Sequence, residues 1–266
     1  MRRKTPTECI ISIMNEIKIL ALGLLLPFLG TAAGAFCVFF MKKEISSRME
    51  SALSAFASGI MMSASVWSLL LPSIERANGS VFPAATGFLA GTAFLLLMDK
   101  TVPHFHSASN HSEGLHAKFR REAMLFFAVT LHNIPEGIAV GAVFAASAQM
   151  GLAGAFALSA GIALQNFPEG AIVSMPLKNR LGTPRAFLFG VLSGAVEPIF
   201  GALAIILSGA FSKTLPWILP FAAGAMVYVI VEELLPEAKR ASSDDTSVVS
   251  FSLGFVLMMV LDCVLG

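Results

Sequence analysis

Apolar residues fall along this chain in about eight long runs separated by short polar stretches. The runs cover roughly 17–40, 51–71, 84–102, 122–147, 150–177, 186–209, 216–238 and 247–265. Each is near the ~20 residues an α-helix needs to cross a bilayer. The pattern predicts an all-α integral membrane protein of eight transmembrane helices, one domain over residues 1–266 with the lipid bilayer as its partner.

Lysine and arginine set the orientation, because they accumulate in cytoplasmic loops. Lys42, Lys43 and Arg48 follow span one, and Lys100, Lys118, Arg120 and Arg121 follow span three. Lys178, Arg180 and Arg185 follow span five, and Lys239 and Arg240 follow span seven. The opposite loops hold Arg76 and Lys213. This bias predicts both termini outside. Arg2, Arg3 and Lys4 argue mildly the other way and read as a short tail before the first helix rather than a cleaved signal.

Two endings recur on opposite sides. Span two ends in Leu-Leu-Leu-Pro-Ser-Ile-Glu (69–75) and span seven in Glu-Leu-Leu-Pro-Glu (233–237), while Asp99 and Asp262 lie near the ends of spans three and eight. Such echoes fit an inverted repeat, spans one to three returning as six to eight around an inner pair, four and five. Many secondary transporters are built so, with their site at the midplane. Gly30/Gly34, Gly87/Gly91, Gly137/Gly141 and Gly190/Gly194 form small-xxx-small pairs, which let backbones approach closely and equally suit ordinary packing.

Composition narrows the class. Apolar residues make up 56% and charged residues 13%, which leaves no room for a large soluble domain. A net charge of +1 suggests no nucleic-acid partner. Cys9, Cys37 and Cys263 are scattered, with no CxxC, so neither a disulfide framework nor a zinc knuckle is readable.

The chemistry concentrates in spans four and five. His132-Asn133-Ile134-Pro135-Glu136-Gly137 is echoed by Gln165-Asn166-Phe167-Pro168-Glu169-Gly170. Residues three and four apart share a helix face, so His132 and Glu136 point one way, as do Gln165 and Glu169. Each proline frees a carbonyl four residues earlier, at Leu131 and Leu164. At 1.5 Å per residue, His132 to Glu136 lie roughly 15–21 Å in from the inner end of span four, and Glu169 to Gln165 roughly 14–20 Å in from Lys178. Glu197, in Val196-Glu197-Pro198, lies at roughly 18 Å. Three carboxylates and a histidine therefore share one plane, with no lysine or arginine mid-span. Ionisable groups at that depth mark a substrate or ion path, and one or two divalent cations would relieve the repulsion. Against this, a lone membrane histidine often serves only as a helix–helix hydrogen-bond partner, and Gln165 and Asn166 alone could be packing glue. The loop 103–121 carries His104, His106, His111 and His116, a tract that can capture metal or simply be solvated.

These residues resemble the ZIP family of divalent-metal transporters, most closely its prokaryotic GufA-like branch. The resemblance rests on the paired Asn-x-Pro-Glu-Gly motifs, Glu197-Pro198 in span six, Glu232-Glu233-Leu234-Leu235-Pro236 in span seven and the histidine loop, and it covers nearly the whole chain. It implies a binuclear site. His132, Glu136, Gln165 and Glu169 match the first metal position. Asn133, Glu136, Asn166, Glu169 and Glu197 match the second, with the two glutamates bridging. Asp99, His104, His106, Glu232 and Glu233 resemble groups of the inner exit route. It further implies a bacterial plasma-membrane carrier of elevator type, dimeric in many members, that moves zinc, iron, manganese or cadmium into the cytoplasm as cargo rather than cofactor. Many members have histidine at the place of Gln165 and some have aspartate at that of Asn166. The amides here favour harder, oxygen-tolerant ions than a two-histidine site would. Zinc is the first expectation.

Two other classes are weighed. An intramembrane zinc-dependent hydrolase would use His132 and the carboxylates to activate water, but His-Glu-x-x-His is absent. A carrier of organic solutes would use the acidic plane only to conduct protons.

Overall fold

The computed structural model describes residues 6–41, 45–101, 104–105, 112–113, 121–210, 214–241 and 244–265. Among these it contains eight long helical elements. They are α1 (Pro6–Phe36), α2 (Ser47–Arg76), α3 (Phe82–Thr101), α4 (Arg121–Met150) and α5 (Leu152–Leu181). α6 runs in two segments, Thr183–Gly194 and Val196–Ala210, and α7 (Leu215–Ala241) and α8 (Thr246–Leu265) complete the set. Seven are long and apolar enough to cross a membrane, and α5 is the exception, carrying Gln165, Asn166 and Glu169 near its middle. In the loop after α3, β1 (His104–Phe105) and β2 (Ser112–Glu113) form a two-residue antiparallel ladder.

The helix breaks follow from the sequence. Gly151, at φ +88°, alone joins α4 to α5, a backbone conformation that glycine adopts without strain. The two helices therefore fold back on one another. Glu136 precedes the turn by 15 residues and Gln165 follows it by 14, so both motifs reach the same level.

α2 and α7 each contain a π-helical turn, Ser65–Leu70 and Ile230–Leu234. Each lies just before a Leu-Pro pair, Leu71-Pro72 and Leu235-Pro236. Proline cannot donate to the carbonyl four residues back, and a local i→i+5 register accommodates the missing bond.

Glycines set the closest helix pairs. A β-carbon at Gly137 would collide with the backbone of Glu197, and one at Gly170 with the backbone carbonyl of Thr31. The same close approach recurs reciprocally between α2 and α8 (Gly59 on Phe251, Gly254 on Phe56) and between α3 and α7 (Gly91 on Phe221, Gly224 on Phe88). All four glycines stand in Phe-x-x-Gly steps. Leu22, Leu25 and Leu29 of α1, Leu89 and Leu97 of α3, and Leu253, Val260 and Val264 of α8 project outward, as lipid-facing surfaces do.

Candidate metal site

The paired motifs meet in the interior. Gln165 Nε2 donates to Glu136 Oε1 at 2.7 Å, joining α5 to α4. Asn133 Nδ2 donates to the Ser193 carbonyl at 2.8 Å, tying α4 to the first segment of α6. The Gly194–Val196 break then places Glu197 in the first turn of the second segment, where the helix N-terminus favours a carboxylate. Thr31 Oγ1 of α1 donates to Glu197 Oε1 at 2.9 Å. Four helices thus contribute to one buried polar layer. Glu136, Gln165 and Asn166 are wholly buried, and Asn133, Glu197 and His132 nearly so. Glu136, Glu169 and Glu197 stand close enough to repel one another, and His132 lies near Glu169.

Among the described residues, Asn133 Oδ1, Glu136 Oε2, Gln165 Oε1, Asn166 Oδ1, Glu169 Oε2 and Glu197 Oε2 are buried without a close hydrogen-bond donor, and Asn166 Nδ2, the donor nearest Glu136 and Glu197, is itself not closely paired. Buried polar groups are normally paired, and at membrane depth each unpaired one costs several kcal/mol. Six residues of one layer thus carry buried oxygens of the kind that could ligate a cation. Carboxylate and amide oxygens suit divalent ions. Among the described residues no three His, Cys, Asp or Glu side chains are gathered closely enough to hold a metal ion by themselves.

His132 and Glu233 meet across helices. His132 Nε2 lies 2.6 Å from Glu233 Oε1, which the π turn of α7 presents to it. Glu233 therefore stands beside His132, while Glu232, next to it, is exposed. Asp99 is buried and accepts from Tyr228 Oη at 2.9 Å. Only the backbone of His104 is described, and His106, His111 and His116 lie outside the described residues. Thr31 and Tyr228 are partners that motif reading passes over. Thr31 carried a signal, since it lies in the Gly30–Gly34 step that packs against α5.

Ionisable groups inside a multi-pass membrane protein are the mark of a substrate or ion path. Residues 106–262 match the family model described as ZIP Zinc transporter. The chain is 33% identical to human Zinc transporter ZIP11, over 89% of this chain and 94% of that one. It is 35% identical to Zinc transporter ZIPB of Bordetella bronchiseptica, over 90% and 79%. Zinc transporter GufA of Myxococcus xanthus is 35% identical over 75% and 81%. The chain belongs to the ZIP zinc transporter family. This is a family of transporters and not of enzymes, which removes the intramembrane hydrolase reading.

Proposed function

We propose that this protein carries divalent metal, zinc first, across the membrane toward the side of its basic loops, through a binuclear site between α4 and α5. The observation that carries the reading is the layer of six buried oxygens from the residues assigned by motif. His132, Glu136, Gln165 and Glu169 hold the first ion. Asn133, Glu136, Asn166, Glu169 and Glu197 hold the second, with Glu136 and Glu169 bridging. His132 has to leave Glu233 as metal arrives, so Glu233 is the first group to receive metal as it departs, followed by Glu232, Asp99 and the histidine loop with His104 and His106. Iron, manganese and cadmium belong to the same cargo class, and the lipid-facing surfaces leave room for a homodimer.

The inverted repeat is part of this proposal. Exchanging α1–α3 with α6–α8, and α4 with α5, maps the α1–α5 contact onto α6–α4, and α2–α8 onto α7–α3. The reciprocal Phe–Gly contacts and the two π turns before Leu-Pro support that exchange. With both termini outside, the site lies midway between the two surfaces.

Radiolabelled zinc uptake into proteoliposomes tests the reading. The wild-type protein accumulates zinc, and Glu136→Ala and Glu169→Ala, each folded and reconstituted, lose uptake by tenfold or more, about 1.4 kcal/mol of binding at least. Retained uptake in both variants would refute the site.

A further inference from the structure

Bonds between helices sort the molecule into two groups. Thr31–Glu197, Asn133–Ser193, Gln165–Glu136 and Ser159–Gly23 link α1, α4, α5 and α6. Ser51–Ala238, Ser68–Asp262, Thr92–Gly224 and Tyr228–Asp99 link α2, α3, α7 and α8. Two polar contacts seen among the described residues pass between the groups. One is His132–Glu233, already described. The other lies at the far end of the molecule, where Arg76 Nη2 in the last turn of α2 donates to the Ala146 carbonyl of α4 at 2.8 Å.

We infer that Arg76 is a latch holding the two helix groups together at the end away from the basic loops, and that it must let go before the polar layer opens to that side. The helix geometry supports the role. α4 ends at Met150, so Ala146 lies near its C-terminus, where a cation is favoured by the helix dipole. His132, Ala139 and Ala146 are spaced seven apart and share one face of α4. Along that face the two cross-group contacts bracket a dry stretch. Ala139 is fully buried, and Val143, Leu219, Ala222 and Met226 belong to the same apolar core. In lipid, apolar helix faces gain little by meeting one another rather than acyl chains. Packing also joins the groups, as where Gly161 of α5 meets Met258 of α8, and the polar contacts at the two ends add directional bonds that fix the register.

The inference rests on the transport reading only for its consequence on uptake. The latch itself is read without metal. The test replaces Cys9, Cys37 and Cys263 with serine and places one reporter, Ala139→Cys, in reconstituted protein. A membrane-impermeant maleimide is applied from either face. With Arg76 in place labelling is slow. Arg76→Gln labels about tenfold faster, as expected if the bond contributes about 1.4 kcal/mol, and Arg76→Lys falls between. Equal rates for wild type and Arg76→Gln at equal thermal stability overturn the latch. If Arg76→Gln does not fold, a second experiment decides. Arg76→Cys with Ala146→Cys, joined by a cleavable bifunctional thiol reagent about as long as an arginine side chain, stops zinc uptake, and reduction restores it. Uptake that persists when the two positions are joined overturns the latch. If wild-type protein takes up no zinc, the transport reading fails, while the difference in maleimide labelling still decides whether Arg76 holds the groups together.

Discussion

Gln165 shows how one side chain sets the character of the layer. Its Nε2 donates to one lone pair of the Glu136 carboxylate, and its own Oε1 is buried without a close donor among the described residues. Both are hard oxygen donors. A histidine in that place would contribute a softer nitrogen, and imidazole favours zinc over manganese. We therefore expect Gln165→His to make manganese a weaker competitor of zinc uptake by about tenfold. Competition titrations on the two proteins check this, and an unchanged ranking would remove Gln165 from the metal shell. Thr31 acts differently, because it holds Glu197 without being a ligand. Thr31→Val keeps the shape and deletes the donor. Bonds to charged groups contribute about 1.5–3 kcal/mol, so the variant should melt several degrees lower in detergent. Thr31→Ser keeps the hydroxyl and should stay near wild type.

Between α4 and α6 the contact is backbone on backbone, and a single methyl group tests it. Gly137→Ala pushes against Glu197, and Gly170→Ala against Thr31, so each variant should lose about 1–3 kcal/mol and also disturb the polar layer. Thermal melting together with zinc uptake checks both effects. A variant with wild-type stability would mean that α4 and α6, or α1 and α5, separate easily. The helices themselves were legible in the sequence, because a run of about twenty apolar residues has one solution in lipid. The level of the two motifs was legible too, since the rise per residue and the Gly151 turn determine it. Helix pairing was not. Lipid and protein interior are both apolar, so the composition of a span does not say which face meets a neighbour. The Phe-x-x-Gly steps carried that information in a form visible only once their reciprocal contacts were seen. The π turns were hidden for a related reason: a Leu-Pro step announces a lost bond but not how the chain absorbs it. The contact of Glu233 with His132 was hidden too, because it depends on the π turn of α7.

At the scale of the whole molecule, the hydrogen bonds of the polar layer join α1, α4, α5 and α6, and the proposed site has a thermodynamic consequence. Under the proposed function, a cation held by these oxygens binds the folded chain and not the unfolded one. Binding then stabilises by mass action, about 2.7 kcal/mol when free metal stands a hundredfold above its dissociation constant. Zinc should raise the melting temperature of the purified protein by several degrees, and a chelator should reverse the rise. Glu136→Ala and Glu169→Ala should show little or no zinc-dependent rise, because each removes a bridging group. Replacing His104 with alanine should leave most of the rise intact, because His104 is not among the residues assigned to the two metal positions. Differential scanning fluorimetry on the four proteins, with and without zinc, measures all of this without any transport assay. A zinc-induced rise that survives loss of both glutamates would place the stabilising metal elsewhere in the molecule.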